Sequence, residues 1–395
     1  MKTLRLLPSL AVLAAFGTAC VCGAEATFED RLKALEQTVQ HLAKENAELK
    51  KQLGWKDATP PVLARPAGPV NKLVVGGFLQ AHAEFGDAPD PRWVAVNDRF
   101  FFRRARIYVS GAFAEHFDFK AELDLQGNTL GASTGNLARA NEVYLTWTRH
   151  PAAQIRFGQL KPAYGAEALQ SDTKTVFIER TYGNDRLADG RNLAVGLYGT
   201  AADGRLAYSA TLANGNGSNV SANDNERFQP AARLVFTPWS DKAGSLTLGA
   251  NALRSTDNAV SKPGLGLTGN TFTGRRTMWG VDAVLKTKPF EIQAEVLGGT
   301  FRPTNAAPAR EFDALSWHAS AAWNAVPGRL QLALRREEFD PNTDLGGDQV
   351  EVWGLGLNWF IRGDDLKLQV NWLDGNGPGT ASDGGRLLTR MQVVF

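Results

Sequence analysis

The final ten residues, RLLTRMQVVF (386–395), decide the fold. In an extended chain Leu387, Thr389, Met391, Val393 and Phe395 share one face, while Arg386, Arg390 and Gln392 share the other. The same period of two recurs upstream. Leu366, Leu368, Val370 and Trp372 alternate with Lys367, Gln369 and Asn371. Phe117, Phe119, Ala121, Leu123 and Leu125 alternate with Asp118, Lys120, Glu122, Asp124 and Gln126. Each stretch has one apolar and one wet face, as a half-buried strand requires.

From residue 73 onward this reading yields sixteen segments, at 73–85, 99–113, 117–127, 138–149, 153–160, 191–201, 205–213, 229–237, 245–254, 272–286, 290–301, 312–324, 328–339, 349–360, 365–374 and 386–395. Many have the roughly 9–11 residues of a tilted membrane strand. Short connections (114–116, 150–152, 202–204, 238–244, 287–289, 325–327, 361–364) alternate with longer ones rich in Gly, Asn and Asp. That alternation, an even strand number and a terminal aromatic predict an all-β, 16-stranded antiparallel transmembrane β-barrel of the bacterial outer-membrane type. Pro151, Pro238, Pro289 and Pro327 are expected in the short turns, where no ladder donor is lost. Phe85, Phe113, Phe117, Trp147, Phe290, Trp323, Phe339 and Trp372 mark strand ends as an interfacial girdle would. Composition agrees, with 40 Gly, 21 Phe and 10 Trp against 3 Met.

Ahead of the barrel the chain has a different character. Lys2 and Arg5, the apolar run 6–15 and the small residues before a cut after Ala24 read as a secretory signal peptide (1–24). Both cysteines, Cys20 and Cys22, fall within it. A periplasmic segment at 25–56 contains Phe28, Leu32, Leu35, Val39, Leu42, Asn46, Leu49 and Leu53, a heptad seam expected to form a short N-terminal coiled-coil helix that self-associates. A Pro-rich linker, 57–72, separates it from the barrel at 73–395. The full chain has 43 basic and 41 acidic residues, and loss of Lys2 and Arg5 leaves 41 of each. No global basic field points to nucleic acid.

A barrel of this width is too large for side chains to fill, so water enters it. The third long connection, 161–190 (KPAYGAEALQSDTKTVFIERTYGNDRLADG), is expected to fold inward as a constriction loop. Around it lie the sequences FFRRARIYVSG (101–111), FDFKAELDLQG (117–127), NEVYLTW (141–147) and IRFGQLKPAYGAEALQSDTKTVFIERTYGNDRLADGRNLAVGLYG (155–199). These resemble the phosphate-selective porin O and P family. The resemblance implies a trimeric, sixteen-stranded channel that passes small anions, often preceded by a coiled coil, in contact with membrane lipid and lipopolysaccharide. Residue by residue it assigns Arg104 and Arg106 to an arginine-rich second strand, with Arg156 also facing inward, Lys161, Lys174 and Arg180 on the loop, and Arg191 just after it. Lys120 adds a further inward cation. Fixed guanidinium groups can replace part of an anion's hydration shell. The same arginines can instead form wall ion pairs with Glu84, Glu122, Asp124 or Glu142.

The chain also departs from a purely cationic channel. Segment 161–190 carries Lys161, Lys174, Arg180 and Arg186 against Glu167, Asp172, Glu179, Asp185 and Asp189. Weak selectivity, with the coiled coil anchoring the envelope, is therefore the alternative expectation. No enzyme is expected: His41, His82, His116, His150 and His318 stand in neither a GxSxG nor an HExxH context. No cofactor is implied, and no metal-binding spacing occurs.

Overall fold

The structure, a computed structural model, describes residues 70–126, 138–304, 310–378, 380 and 385–395, together with positions 37, 41 and 44, which are helical. The signal peptide, the rest of the coiled-coil segment and the linker up to residue 69 lie outside the described residues.

Every expected strand is present. They are β1 (Val70–Gly86), β2 (Arg99–Phe113), β3 (Phe117–Asp124), β4 (Arg139–His150), β5 (Ala153–Leu160), β6 (Asn192–Ala201), β7 (Leu206–Ala213), β8 (Gln229–Ser240), β9 (Gly244–Ser261), β10 (Thr271–Thr287), β11 (Phe290–Pro303), β12 (Phe312–Val326), β13 (Leu330–Asp340), β14 (Val350–Arg362), β15 (Leu366–Asn376) and β16 (Gly385–Val394). Each pairs antiparallel with its sequence neighbour, and β1 pairs with β16, so the sheet closes on itself. The expected linker end at 72 is corrected: β1 starts at Val70, because Val70 and Lys72 already pair with Phe113 and Ala112.

The period-two pattern sorts the two faces. On β16 Met391, Val393 and Phe395 are exposed outward, whereas Arg386, Leu388, Arg390 and Gln392 are buried inside. On β15 Lys367, Gln369 and Asn371 turn inward and Trp372 outward. Leu, Val, Ile and aromatic side chains such as Leu234, Trp279, Leu334, Trp353 and Trp359 cover the outer wall, while carboxylates, amides and guanidinium groups cover the inner one. An apolar exterior around a polar interior is the inverse of a water-soluble fold and suits a wall facing lipid.

Two expectations change. Pro238 is not in a turn: β8 runs on to Ser240, and the register shifts between Phe236 and Trp239, so the proline sits where a bulge already interrupts the ladder. Phe339 is not a girdle residue. It is buried inside the barrel, edge-to-face with Tyr182 at 5.4 Å between ring centroids. Phe85, Phe290, Trp323 and Trp372 do face outward.

A second bulge lies in β2. Gln80 pairs with Arg104, but the next residue of β1, Ala81, pairs with Phe102. Arg103 is the extra residue, and it turns inward beside Arg104.

Closure is completed by the last residue. Phe395 exchanges backbone hydrogen bonds with Gly77, at 2.9 Å to its carbonyl and 3.0 Å from its amide. A Cβ on Gly77 would lie 2.3 Å from the Arg106 carbonyl oxygen and 2.9 Å from the Phe395 ring. Only glycine leaves room for that ring over the seam. Gly77→Val is expected to cost about 1–3 kcal/mol through overpacking, read as an earlier loss of the folded band when samples are heated before electrophoresis.

Candidate functional site

Between β5 and β6 the segment 161–190 includes two short helices, Ala166–Leu169 and Tyr182–Leu187. Its polar groups meet inward side chains around most of the barrel. The Gly165 amide donates to Asn251 of β9 at 3.4 Å, and the Glu167 amide donates to Glu295 of β11 at 3.1 Å. Gln80 of β1 and Gln392 of β16 both donate from Nε2 to loop carbonyls, of Asp172 and Thr173, at 2.9 Å each. Gln369 of β15 and Asn358 of β14 donate to the Val176 carbonyl, at 3.1 and 3.0 Å. Arg335 of β13 donates to the Glu179 carbonyl at 2.8 Å, and the Tyr182 amide donates to Glu337 of the same strand at 3.1 Å. The apolar underside of the segment, Ala163, Tyr164, Ile178, Tyr182 and Leu187, packs with Leu253, Met278 and Phe301 into one buried cluster.

Ion pairs fix this arrangement. Asp172 is met by three guanidinium groups, from Arg106 at 2.6 Å, Arg180 at 2.7 Å and Arg104 at 3.4 Å. Glu179 takes Arg103 at 2.9 Å and Arg390 at 3.5 Å. At the far end Asp189 accepts from Lys262 and Arg276, each at 2.6 Å. Burial pushes the Asp172 carboxyl up, but Arg104, Arg180 and Arg106 outweigh it and hold it well below the usual carboxylate range. Glu179 and Asp189 behave alike: burial opposes ionisation, and the Arg103 and Arg276 charges respectively overcome it. For Lys161, burial dominates and brings the ammonium down to about 7, with Asp172 opposing. Its Nζ donates to the Ala168 carbonyl at 2.5 Å.

The sequence-derived cations thus divide. Arg104 and Arg106 are buried beneath the loop and hold it, and Lys161, half-buried at the start of the loop, donates within it. Arg106 also reaches Asp124 at 2.8 Å, one of the wall pairs expected from sequence. Lys120, Arg156, Arg180 and Arg191 keep part of their surface open, and Lys174 is exposed. Lys120 pairs with Glu122 and Glu142, at 2.8 and 2.9 Å, and Arg191 approaches Glu142 at 3.7 Å. Arg156 differs: its Nε donates to the Thr146 hydroxyl at 3.0 Å, its guanidinium lies 4.0 Å from the Tyr144 ring and 4.8 Å from the Tyr198 ring, and it has no carboxylate partner among the described residues. Gly196 lies opposite Arg156 in the ladder, and a side chain there would collide with the Tyr198 ring.

Sequence reasoning missed Arg103, Glu179 and His82. Strict alternation sends Arg103 outward, and only the bulge turns it in; the adjacent arginines of FFRRAR were the available signal. His82 accepts a hydrogen bond from Arg390 Nε at 2.7 Å across the closing seam, a contact between residues at opposite ends of the barrel sequence.

A closed sixteen-stranded barrel with an apolar outer wall, a charged lumen and a long loop folded against its inner side defines a bacterial outer-membrane porin, a channel rather than an enzyme. The comparisons give the family. Residues 78–395 match phosphate-selective porin O and P, and the chain belongs to that family. Porin O of Pseudomonas aeruginosa is 23% identical over 395 residues, covering 81% of this chain and 88% of that protein. Among solved structures, the trimer form of the Vibrio cholerae outer-membrane protein OmpT is similar with a TM-score of 0.58 at 12% identity, covering 82% of this chain and 99% of that one. The anion-selective porin from Comamonas acidovorans gives a TM-score of 0.57 at 12% identity, with the same coverages of 82% and 99%. These two likenesses concern the fold alone.

Asp172 is the group whose removal tests the clamp. Asp172→Asn removes the charge shared by three guanidinium groups, and breaking one side of a buried ion pair costs about 3–5 kcal/mol. Single channels of the variant are expected to show more current noise, with the barrel still folded. Because the folded pKa of Asp172 is depressed, its stabilisation is complete above the unfolded value near about 3.9 and is lost only as pH falls through the lower folded value. The excess noise of Asp172→Asn over wild type should therefore persist from neutral pH down to about 4.5.

Proposed function

We propose that this porin lets small hydrophilic solutes diffuse passively across the outer membrane, with a preference for anions, phosphate-like oxyanions among them, and that it works as a homotrimer. One observation carries the anion preference: Arg156 is a partly open guanidinium, fixed between two tyrosine rings and, among the described residues, without a carboxylate to cancel it. It stands on β5 with Lys120 on β3 and Arg191 just before β6, on a side of the wall where Glu142 already serves two cations. A row of weak, unsaturated cationic sites attracts an anion without trapping it. The printed names of the family and of the Comamonas relative support the same direction.

A weakly selective general porin is the second reading. It is favoured by the acidic excess of segment 161–190 and by the pairing of Arg104, Arg106 and Arg180 with Asp172. Reversal potentials in a potassium chloride gradient separate the two readings. The anion reading expects a potential on the chloride side and a shift toward zero in Arg156→Gln by a few-fold change in permeability ratio. A cation-side potential in the wild type removes it.

The coiled coil at 25–56 is assigned to the periplasm, where it assembles or anchors the trimer. Deleting residues 28–53 should leave single-channel conductance intact and reduce trimer yield or attachment to the envelope. Normal assembly with lost conductance would contradict this division of labour.

A further inference from the structure

Inside the barrel, away from Arg156 and Lys120, three metal-ligating side chains converge. Glu295 on β11 and His318 on β12 are direct partners in the ladder, and Glu167 descends on them from the loop. One donor atom from each lies within 4.8 Å of the other two, and all three residues are buried.

The hydrogen-bond accounting of this cluster is incomplete in a particular way. Glu167 accepts from the Thr181 hydroxyl at 2.6 Å and the Thr181 amide at 3.1 Å. Glu295 accepts from the amides of Ala166 and Glu167, at 2.5 and 3.1 Å, and from Asn184 Nδ2 at 3.3 Å. A carboxylate offers about four lone-pair positions, so both retain capacity. The His318 ring is 4% exposed and makes no hydrogen bond among the described residues. A buried imidazole beside two carboxylates and without a partner is poorly satisfied by the protein alone.

The nearest cation does not answer this need. Arg335 comes only to 4.0 Å from Glu167, and its Nη1 donates to the Glu179 carbonyl at 2.8 Å, while Nε lies 3.0 Å from Glu337 and the guanidinium carbon 4.5 Å from the centre of the Phe177 ring. Two buried carboxylates thus face each other beside the imidazole, and the Arg335 contact to Glu167 is a long one.

We propose that Glu167, Glu295 and His318 bind a divalent transition-metal cation of the zinc class. One imidazole nitrogen with two carboxylate oxygens is a donor set suited to that class. Bonds of about 2.0–2.1 Å to a tetrahedral ion place donors about 3.3 Å apart, so the three atoms must close by side-chain rotation alone. A water molecule completes the coordination. Because Glu167 belongs to the loop and the other two ligands to the wall, the ion staples segment 161–190 to β11 and β12, opposite the side held by Asp172. Sequence spacing could not display this site, since its ligands come from one loop and two separate strands.

The test is Zn²⁺ titration of the full-length, detergent-extracted porin by calorimetry, with Co²⁺ absorption as a second probe. One saturable Zn²⁺ per chain is expected. His318→Gln and Glu295→Gln should each weaken it at least about tenfold, since even an outer-shell partner of a metal ligand contributes that much. His150→Gln, at the exposed end of β4, should leave it unchanged. Co²⁺ should give the visible bands of a low-coordinate site. No saturable binding, or binding that survives both ligand substitutions, overturns the proposal. If His318→Gln loses the folded band in unheated electrophoresis, Glu295→Gln and the Co²⁺ spectrum of the wild type decide in its place.

Discussion

The ladder between β1 and β16 is the constraint on which the rest depends. In hydrocarbon an unpaired backbone amide or carbonyl costs several kcal/mol, so a strand sheet can exist there only if it has no edge. The ladder runs from Phe78 with Val394 to Gly86 with Arg386, and Phe395 extends it to Gly77. Side chains reinforce the same seam: Gln80 donates to Gln392 at 2.8 Å, and Arg390 donates to His82. Once the ring is shut, the inward face of every strand surrounds one space, and the loop between β5 and β6 can be gripped from nearly all sides.

That grip is electrostatic at its centre and apolar beneath. Asp172 and Glu179 stand on the loop, and the wall supplies Arg103, Arg104, Arg106 and Arg390. Guanidinium groups suit this work because each offers five donors in a rigid fork and stays charged when buried. The wall arginines used as clamps are thereby paired, while Lys120, Arg156 and Arg191 keep part of their surface open. On the proposed reading, holding the loop and attracting the solute fall to different arginines of similar sequence context.

Most of the barrel was legible in the sequence because a wall between lipid and water imposes a period of two on every strand. All sixteen strands are found, and the faces of β3, β15 and β16 agree residue by residue with the alternation. Where the reading failed, an extra residue or a misjudged face was responsible. Pro238 sits in a bulge, whereas Phe339 turns inward by the same alternation that carries Arg335 and Glu337 into the lumen, and there it packs edge-to-face with Tyr182. Of the site, the arginines of β2 were visible as residues, but their task was not: burial beneath the loop depends on where Asp172 lands. Arg156 was placed inward by simple alternation, whereas its tyrosine flanks required the pairing of β4, β5 and β6.

The bulge at Arg103 also sets a phase boundary within β2. Before it, the odd-numbered residues Arg99 and Phe101 face the lumen, and Phe100 and Phe102 face lipid; after it, Arg104 and Arg106 face the lumen. The strand therefore behaves as two half-strands of opposite parity joined at a dislocation. One half anchors in the bilayer by aromatic rings while the other concentrates positive charge, and loss of Arg103 alone would restore strict alternation with both halves keeping their faces. In a strand with no such extra residue a one-residue deletion is a far larger event than a substitution, because it exchanges the membrane face and the water face of every residue on one side of it.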